Sequence, residues 1–135
     1  MKKVLVFGTF DGIHEGHLDF FRQAREYGDY LITVVARDVN IKNNKGHQAK
    51  KNEQERLYDL KNCKPVDEAI LGKEGDVYKI IEEINPDVIC LGYDQNHYTK
   101  NLETELKNRK LNTKVYRMKS FRPEKYHSSI LNKDK

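Results

Sequence analysis

Five short apolar runs, separated by stretches with helical spacing, lay out this chain. Val4-Leu5-Val6-Phe7 reads as a first strand, and the nearly unbroken, β-branched run from Asp29 to Ala36 as a second. Val66 to Leu71, Asp87 to Leu91 and Lys114 to Met118 supply a third, a fourth and a more polar fifth, the last placed toward an edge. Apolar runs without alternation suit parallel strands covered on both faces. Between them, Leu18, Phe21, Ala24 and Tyr27 fall about three apart, the spacing of a helix face. Asn52 with Glu55 resembles a capping box, opening a helix through Leu57 and Leu60. Asp76 is expected to cap a helix in which Val77, Ile80, Ile81 and Ile84 follow the i, i+3, i+4, i+7 pattern, with Pro86 as its stop. Thr99 opens a further helix carrying Leu102 and Leu106, and the tail around Ile130-Leu131 allows one or two turns more. Strands alternating with helices predict an α/β fold with a parallel sheet and right-handed crossovers.

One stretch breaks the pattern with chemistry. Gly8-Thr9-Phe10-Asp11-Gly12-Ile13-His14-Glu15-Gly16-His17 leaves the first strand and enters the first helix. Amides at a helix N-terminus point outward unpaired, and the helix dipole adds partial positive charge there. Such a point binds anions, most often phosphate. His14 and His17, three apart in the first turn, fall roughly on one face. Gly16 between them has no side chain, so a phosphate can come close to the backbone.

The bulk numbers narrow the class. A chain of 135 residues makes one domain, residues 1–135, with one substantial core. No apolar run approaches the ~20 residues of a membrane span, and the chain enters a strand directly, so neither a membrane anchor nor a signal peptide is expected. Two cysteines, Cys63 and Cys90, are too few for a disulfide scaffold; Cys90, inside an apolar run, is expected to be a buried free thiol in a reducing cytoplasm. A net charge of +4 favours anionic small molecules without arguing for nucleic acid. Residues 39 to 52, with Lys42, Lys45, His47, Lys50 and Lys51, form a long basic loop, solvated or folded over a polyphosphate. Arg56 is expected either to turn toward a ligand bound at that phosphate site, such as a nucleotide, or to pair with surface acids. His14 and His17 could bind zinc in principle, but no further ligand has suitable spacing, and no Gly-x-x-x-x-Gly-Lys or Gly-x-Gly-x-x-Gly turn is present.

Thr9-Phe10-Asp11 followed by His14-x-Gly16-His17 resembles the signature of the His-x-Gly-His nucleotidyltransferases, which include glycerol-3-phosphate cytidylyltransferase, phosphopantetheine adenylyltransferase and the archaeal FAD synthases. The resemblance implies a Rossmann-like five-stranded parallel sheet of order 3-2-1-4-5 with helices on both faces. The first and fourth strands would then lie side by side at the reversal of strand order, where such sheets bind ligands. Gly92-Tyr93-Asp94-Gln95, Val35-Ala36-Arg37-Asp38 and Lys64-Pro65-Val66-Asp67 resemble the archaeal FAD synthases most, over nearly the whole chain. That implies transfer of AMP from ATP to FMN, giving FAD and pyrophosphate. By carry-over, Gly8, Thr9, Phe10, His14, Glu15, Gly16, His17, Gly92, Asp94 and Tyr126 would bind the nucleotide. Ser128 and Ser129 would donate to its phosphates from a final helix start, or simply cap that helix. In the resembled family a lysine of the basic loop meets the phosphates; Lys42 is the first candidate and Lys45 its rival.

The implied chemistry asks little of a base, because an attacking phosphate is already ionised. Alignment and charge stabilisation are what the protein supplies, with His14 and His17 as donors. Mg²⁺ would bridge the phosphates, held mainly by substrate oxygens and water. Asp11 is expected to cap the turn or to meet that ion through water. The chain departs from the archaeal enzymes in having no cysteine in residues 118 to 135, so no thiol-dependent behaviour carries over. The cytidylyltransferase ending Arg-Thr, Gly-Ile-Ser-Thr-Thr is also missing. A glycerol-3-phosphate, sugar-phosphate or phosphopantetheine acceptor stays open, as does a nucleotide sensor without turnover. A homodimer is expected by analogy alone.

Overall fold

The computed structural model describes residues 1–39, 50–74, 76, 78–92 and 99–119. The chain runs β1 (Lys3–Gly8), α1 (Glu15–Arg25), β2 (Tyr30–Val35), α2 (Glu53–Lys61), β3 (Glu68–Leu71), α3 (Lys79–Ile84), β4 (Val88–Leu91), α4 (Thr99–Asn108) and β5 (Lys114–Arg117). The five strands form one sheet of order β3-β2-β1-β4-β5, every pairing parallel. This is the implied 3-2-1-4-5 order. The apolar runs become fully covered strands because helices lie on both faces. Val4, Val6, Leu31, Val35, Val88 and Cys90 look to α1 and α2, meeting Phe21, Ala24 and Leu60. Leu5, Phe7, Ile32, Val34, Ile89 and Leu91 look to α3 and α4, meeting Ile80, Ile81, Leu102 and Leu106. β5 is an edge strand with mostly exposed side chains, as its polarity predicts.

The end of the sheet where strands begin is closed by aspartates. Asp29 accepts the Lys2 amide at 3.0 Å, Asp87 the Lys3 amide at 2.8 Å and Asp67 the Leu31 amide at 2.8 Å. Each carboxylate stands just ahead of one strand and reaches the backbone of the next. This explains why β2, β3 and β4 start at Tyr30, Glu68 and Val88, later than the apolar runs suggest.

Two local expectations change. The capping box at Asn52 forms in both directions, with Glu55 N donating to Asn52 Oδ1 at 2.9 Å and Asn52 N to Glu55 Oε1 at 3.0 Å. Asp76, by contrast, does not cap α3. Its Oδ1 accepts the Tyr78 amide at 3.1 Å, its other oxygen holds Arg109 at 2.9 Å, and the helix starts only at Lys79. Arg109 also binds Glu82 and Glu105, so it ties the entry of α3 to the end of α4. The close of α3 is made by Asn85 in a left-handed conformation (φ 49°), with Pro86 directly behind it.

Candidate active site

The order β3-β2-β1-β4-β5 makes the chain leave β1 toward one side of the sheet and β4 toward the other. The crevice between those exits is where open α/β sheets bind ligands. Gly8 ends β1 there and Gly92 follows β4, so the two glycine-bearing exits do come together. The Gly92 carbonyl accepts from Arg117 at 2.7 Å.

The turn after β1 folds inward. Phe10 takes φ 53°, uncommon for a residue with a side chain, and its ring lies back over Gly8. A Cβ on Gly8 would sit 2.6 Å from the ring's Cζ, so only glycine fits under it. The ring is 4% exposed and packs against Phe21 at 5.5 Å and the edge of His17 at 5.4 Å between ring centres. Phe10 therefore belongs to the core, and a nucleotide can meet this residue only through its backbone. Gly12 takes φ 93°, the conformation that brings the chain round into α1.

His14 is the N-cap of α1 and His17 its third residue. His14 Nδ1 accepts the Gly16 amide at 3.0 Å, and His17 Nδ1 accepts the His14 amide at 3.3 Å. The imidazoles stack with centres 3.9 Å apart. Because each Nδ1 is an acceptor, each neutral ring carries its proton on Nε2. The pair thus offers two N–H donors. Among the described residues the Glu15 amide has no acceptor, as expected in a first helical turn, while the His17 amide closes the capping box on the His14 side chain. Burial, and second the nearby charge of His14, push His17 down to about 4, so it stays a neutral donor at neutral pH. His14 and Glu15 are exposed; Gly16 and His17 are half-buried.

Asp11 does something other than expected. Its two oxygens accept the amides of Lys50 at 2.8 Å and Lys51 at 2.9 Å. The Lys50 amide foremost, then that of Lys51, holds its carboxyl below the usual carboxylate range. Asp11 ties the His-bearing turn to the stretch of chain entering α2, one amide on each oxygen. Arg56 is neither turned to a nucleotide nor paired at the surface: its side chain is fully buried. It donates from Nε to Lys51 O at 3.0 Å, from Nη1 to Thr9 O and Ala36 O at 2.9 Å each, and from Nη2 to Asp38. Sequence reading missed this role, because an arginine at an inward helix position gives no sign of which carbonyls it will find. Lys42, Lys45, His47, Asp94, Tyr126, Ser128 and Ser129 lie outside the described residues.

Comparison with known proteins decides the family. The cytidylyltransferase-like family model matches residues 5–133. This chain belongs to the cytidylyltransferase-like family. Among its curated relatives, a protein named FAD synthase from Archaeoglobus profundus is 46% identical over 131 residues, 96% of this chain and 82% of that one. Another FAD synthase, from Ferroglobus placidus, is 47% identical over 122 residues, covering 89% and 78% of the two chains. The crystal structure of a lipopolysaccharide core biosynthesis protein from Thermoplasma volcanium superposes with a TM-score of 0.85 at 37% identity, over 90% of this chain and 99% of that one. A pantoate-beta-alanine ligase from Francisella tularensis shares the cytidylyltransferase-like chain's fold more distantly, with a TM-score of 0.58 at 16% identity, over 90% and 60%.

Proposed function

We propose that this chain is an FMN adenylyltransferase, moving AMP from ATP to the phosphate of FMN and releasing pyrophosphate. The observation that carries the chemistry is the mutual capping of His14 and His17, which fixes both rings as Nε2–H donors at the mouth of α1. The run of FAD synthase relatives supports the acceptor. In this reading the FMN phosphate attacks the α-phosphorus, and the bond from that phosphorus to the β-phosphate oxygen breaks. Negative charge grows on the α-phosphoryl oxygens and on the leaving pyrophosphate. The two imidazole donors and the Glu15 amide stabilise it, without reorganising as the charge forms. Gly8, Thr9, Gly16 and Gly92 line the approach through backbone, and Phe10 contributes its amide while its ring holds the turn. Lys42, Asp94, Tyr126, Ser128 and Ser129 complete the proposed nucleotide contacts.

A divalent cation, Mg²⁺ in this reading, neutralises charge on the triphosphate when bound. In this reading the ion would be held mainly by the nucleotide's own oxygens and water; among the described residues no three His, Cys, Asp or Glu side chains converge on a metal position. No helix among the described residues is long and apolar enough to cross a membrane. The reading takes the protein as a cytoplasmic homodimer acting on small molecules, with neither nucleic acid nor membrane as partner.

A second acceptor class has one observation in its favour. The name of the Thermoplasma volcanium protein points to sugar chemistry at 37% identity. Purified protein with ATP or CTP, offered FMN, heptose phosphate, glycerol phosphate and phosphopantetheine, separates the readings by product mass. FAD from ATP and FMN is the expected product. A nucleotide-sugar from the same panel, with no FAD, would overturn the flavin assignment. Nucleotide binding with no pyrophosphate from any pair would leave a sensor.

A further inference from the structure

We infer that Arg56 is a positioning residue for nucleotide transfer: it fixes the backbone that presents the donors, though it touches no substrate itself. The inference rests on the nucleotide reading of the site. Arg56 and Leu60 are the two fully buried side chains of α2, spaced i, i+4 on its inward face. At such a position packing alone calls for an apolar residue. An apolar side chain here would leave three backbone carbonyls without their donor, so the guanidinium has a structural duty, and the question is what the carbonyls it holds do for the site.

What the guanidinium does is join three segments. Thr9 follows β1, Ala36 and Asp38 follow β2, and Lys51 precedes α2; Arg56 donates to all three. Asp38 and Glu53 add a reciprocal pair, Glu53 N to Asp38 Oδ2 at 3.1 Å and Asp38 N to Glu53 Oε1 at 2.9 Å. Asp11 closes the same frame through the Lys50 and Lys51 amides. The points where residues 40–49 leave and return are thereby held to one another and to the His-bearing turn.

The bond to Thr9 has a direct geometric result. A trans peptide is planar, with its C=O and N–H pointing opposite ways. Drawing the Thr9 carbonyl to Arg56 turns the Phe10 amide away from Arg56, and that amide has no acceptor among the described residues. The same bond holds Phe10 at its unusual φ of 53°, and through the Phe10 ring sets the plane against which His17 rests. A lysine has no planar fork and cannot reach four divergent acceptors with that geometry. A methionine fills the space and donates nothing.

Arg56→Lys and Arg56→Met test this. ATP affinity is measured by calorimetry without FMN, and kcat and the KM for each substrate by FAD formation. Displacing reacting groups by about 1 Å costs on the order of a hundredfold in rate. In Arg56→Met, kcat is expected to fall by about that factor and ATP to bind at least about tenfold more weakly, while the KM for FMN stays within about twofold. Arg56→Lys is expected to recover less than half of the loss. A merely structural role predicts something else: fewer folded molecules, with both KM values and the ATP affinity per folded molecule unchanged. That pattern, or wild-type kinetics in either variant, overturns the inference. Should Arg56→Met fail to fold, Arg56→Lys is judged by the same ATP and kcat criteria. Inactivity of the unmodified chain with FMN would strike the acceptor assignment alone, because the calorimetric arm still reads the part played by Arg56.

Discussion

His17 receives the backbone amide of His14, and the two rings lie face to face at 3.9 Å. Two cations so close would repel, and His17 is half-buried as well; both effects favour its neutral form. Its value in the folded chain is about 4, against 6.5 for a free histidine. Titration of the free protein followed by imidazole NMR should show His17 neutral down to about pH 5, with the nitrogen shifts of an Nε2–H tautomer. The sign for stability follows. Between pH 6.5 and about 4 the unfolded chain binds a proton at this site that the folded chain refuses. The site's contribution is fully present above pH 6.5 and is lost as pH falls through that window. Denaturant midpoints for the wild type should fall more steeply there than those of His17→Gln.

The same capping geometry allows structure and chemistry to be separated. Asparagine is as good an N-cap as any residue, and glutamine suits the third position of a capping box. His14→Asn and His17→Gln should therefore keep α1 and stay within about 1 kcal/mol of wild-type stability. Each loses a preorganised donor and should lose about 10²–10³ in turnover. Unfolding curves and initial rates on the same samples check both halves. Turnover near the wild-type level in His17→Gln would remove that ring from the mechanism.

Gly8 and Phe10 form a lock that packing alone explains. Gly8→Ala drives a methyl into the Phe10 ring at 2.6 Å and should cost about 1–3 kcal/mol. In a Phe10→Ala background the added cost should largely vanish, because the obstructing ring is gone. A double-mutant cycle by urea unfolding measures this coupling directly.

Cys90 is fully buried, and burial pushes its thiol up to about 12. The thiolate is the reactive form. A thiol reagent at pH 8 should leave Cys90 unmodified in the folded protein and modify it on unfolding in urea, read by mass of the labelled peptides. Cys63, half-buried and also raised by burial, should react before it.

How much of this could be read from the chain depends on how far apart the partners are. The apolar runs announce the inner strands, because a strand covered on both faces must be continuous in hydrophobicity, while β5 shows its edge position by its polarity. The His-bearing turn was legible too, since glycines and imidazoles within ten residues carry their own local geometry. Strand order needed the family resemblance, and composition could not supply it. Arg56 was misjudged because its acceptors Thr9 and Ala36 lie 47 and 20 positions away. Asp11 was misjudged for the same reason, its amides being 39 and 40 positions away. That the Phe10 ring turns into the core could not be foreseen from its place in the motif, because only its left-handed backbone sends it there. Asp76 showed a capping pattern, but Arg109 from beyond α4 claims its carboxylate.

The aspartates ahead of β2, β3 and β4 hem one border of the sheet. A hem made by side chains gripping neighbouring backbone resists sliding of strand along strand, since a one-residue slip of β1 or of β2 would tear two of the three stitches at once. With alignment secured at that border, the opposite one is free of the duty. Its turns can be recut for a different cargo while the weave beneath them stays true.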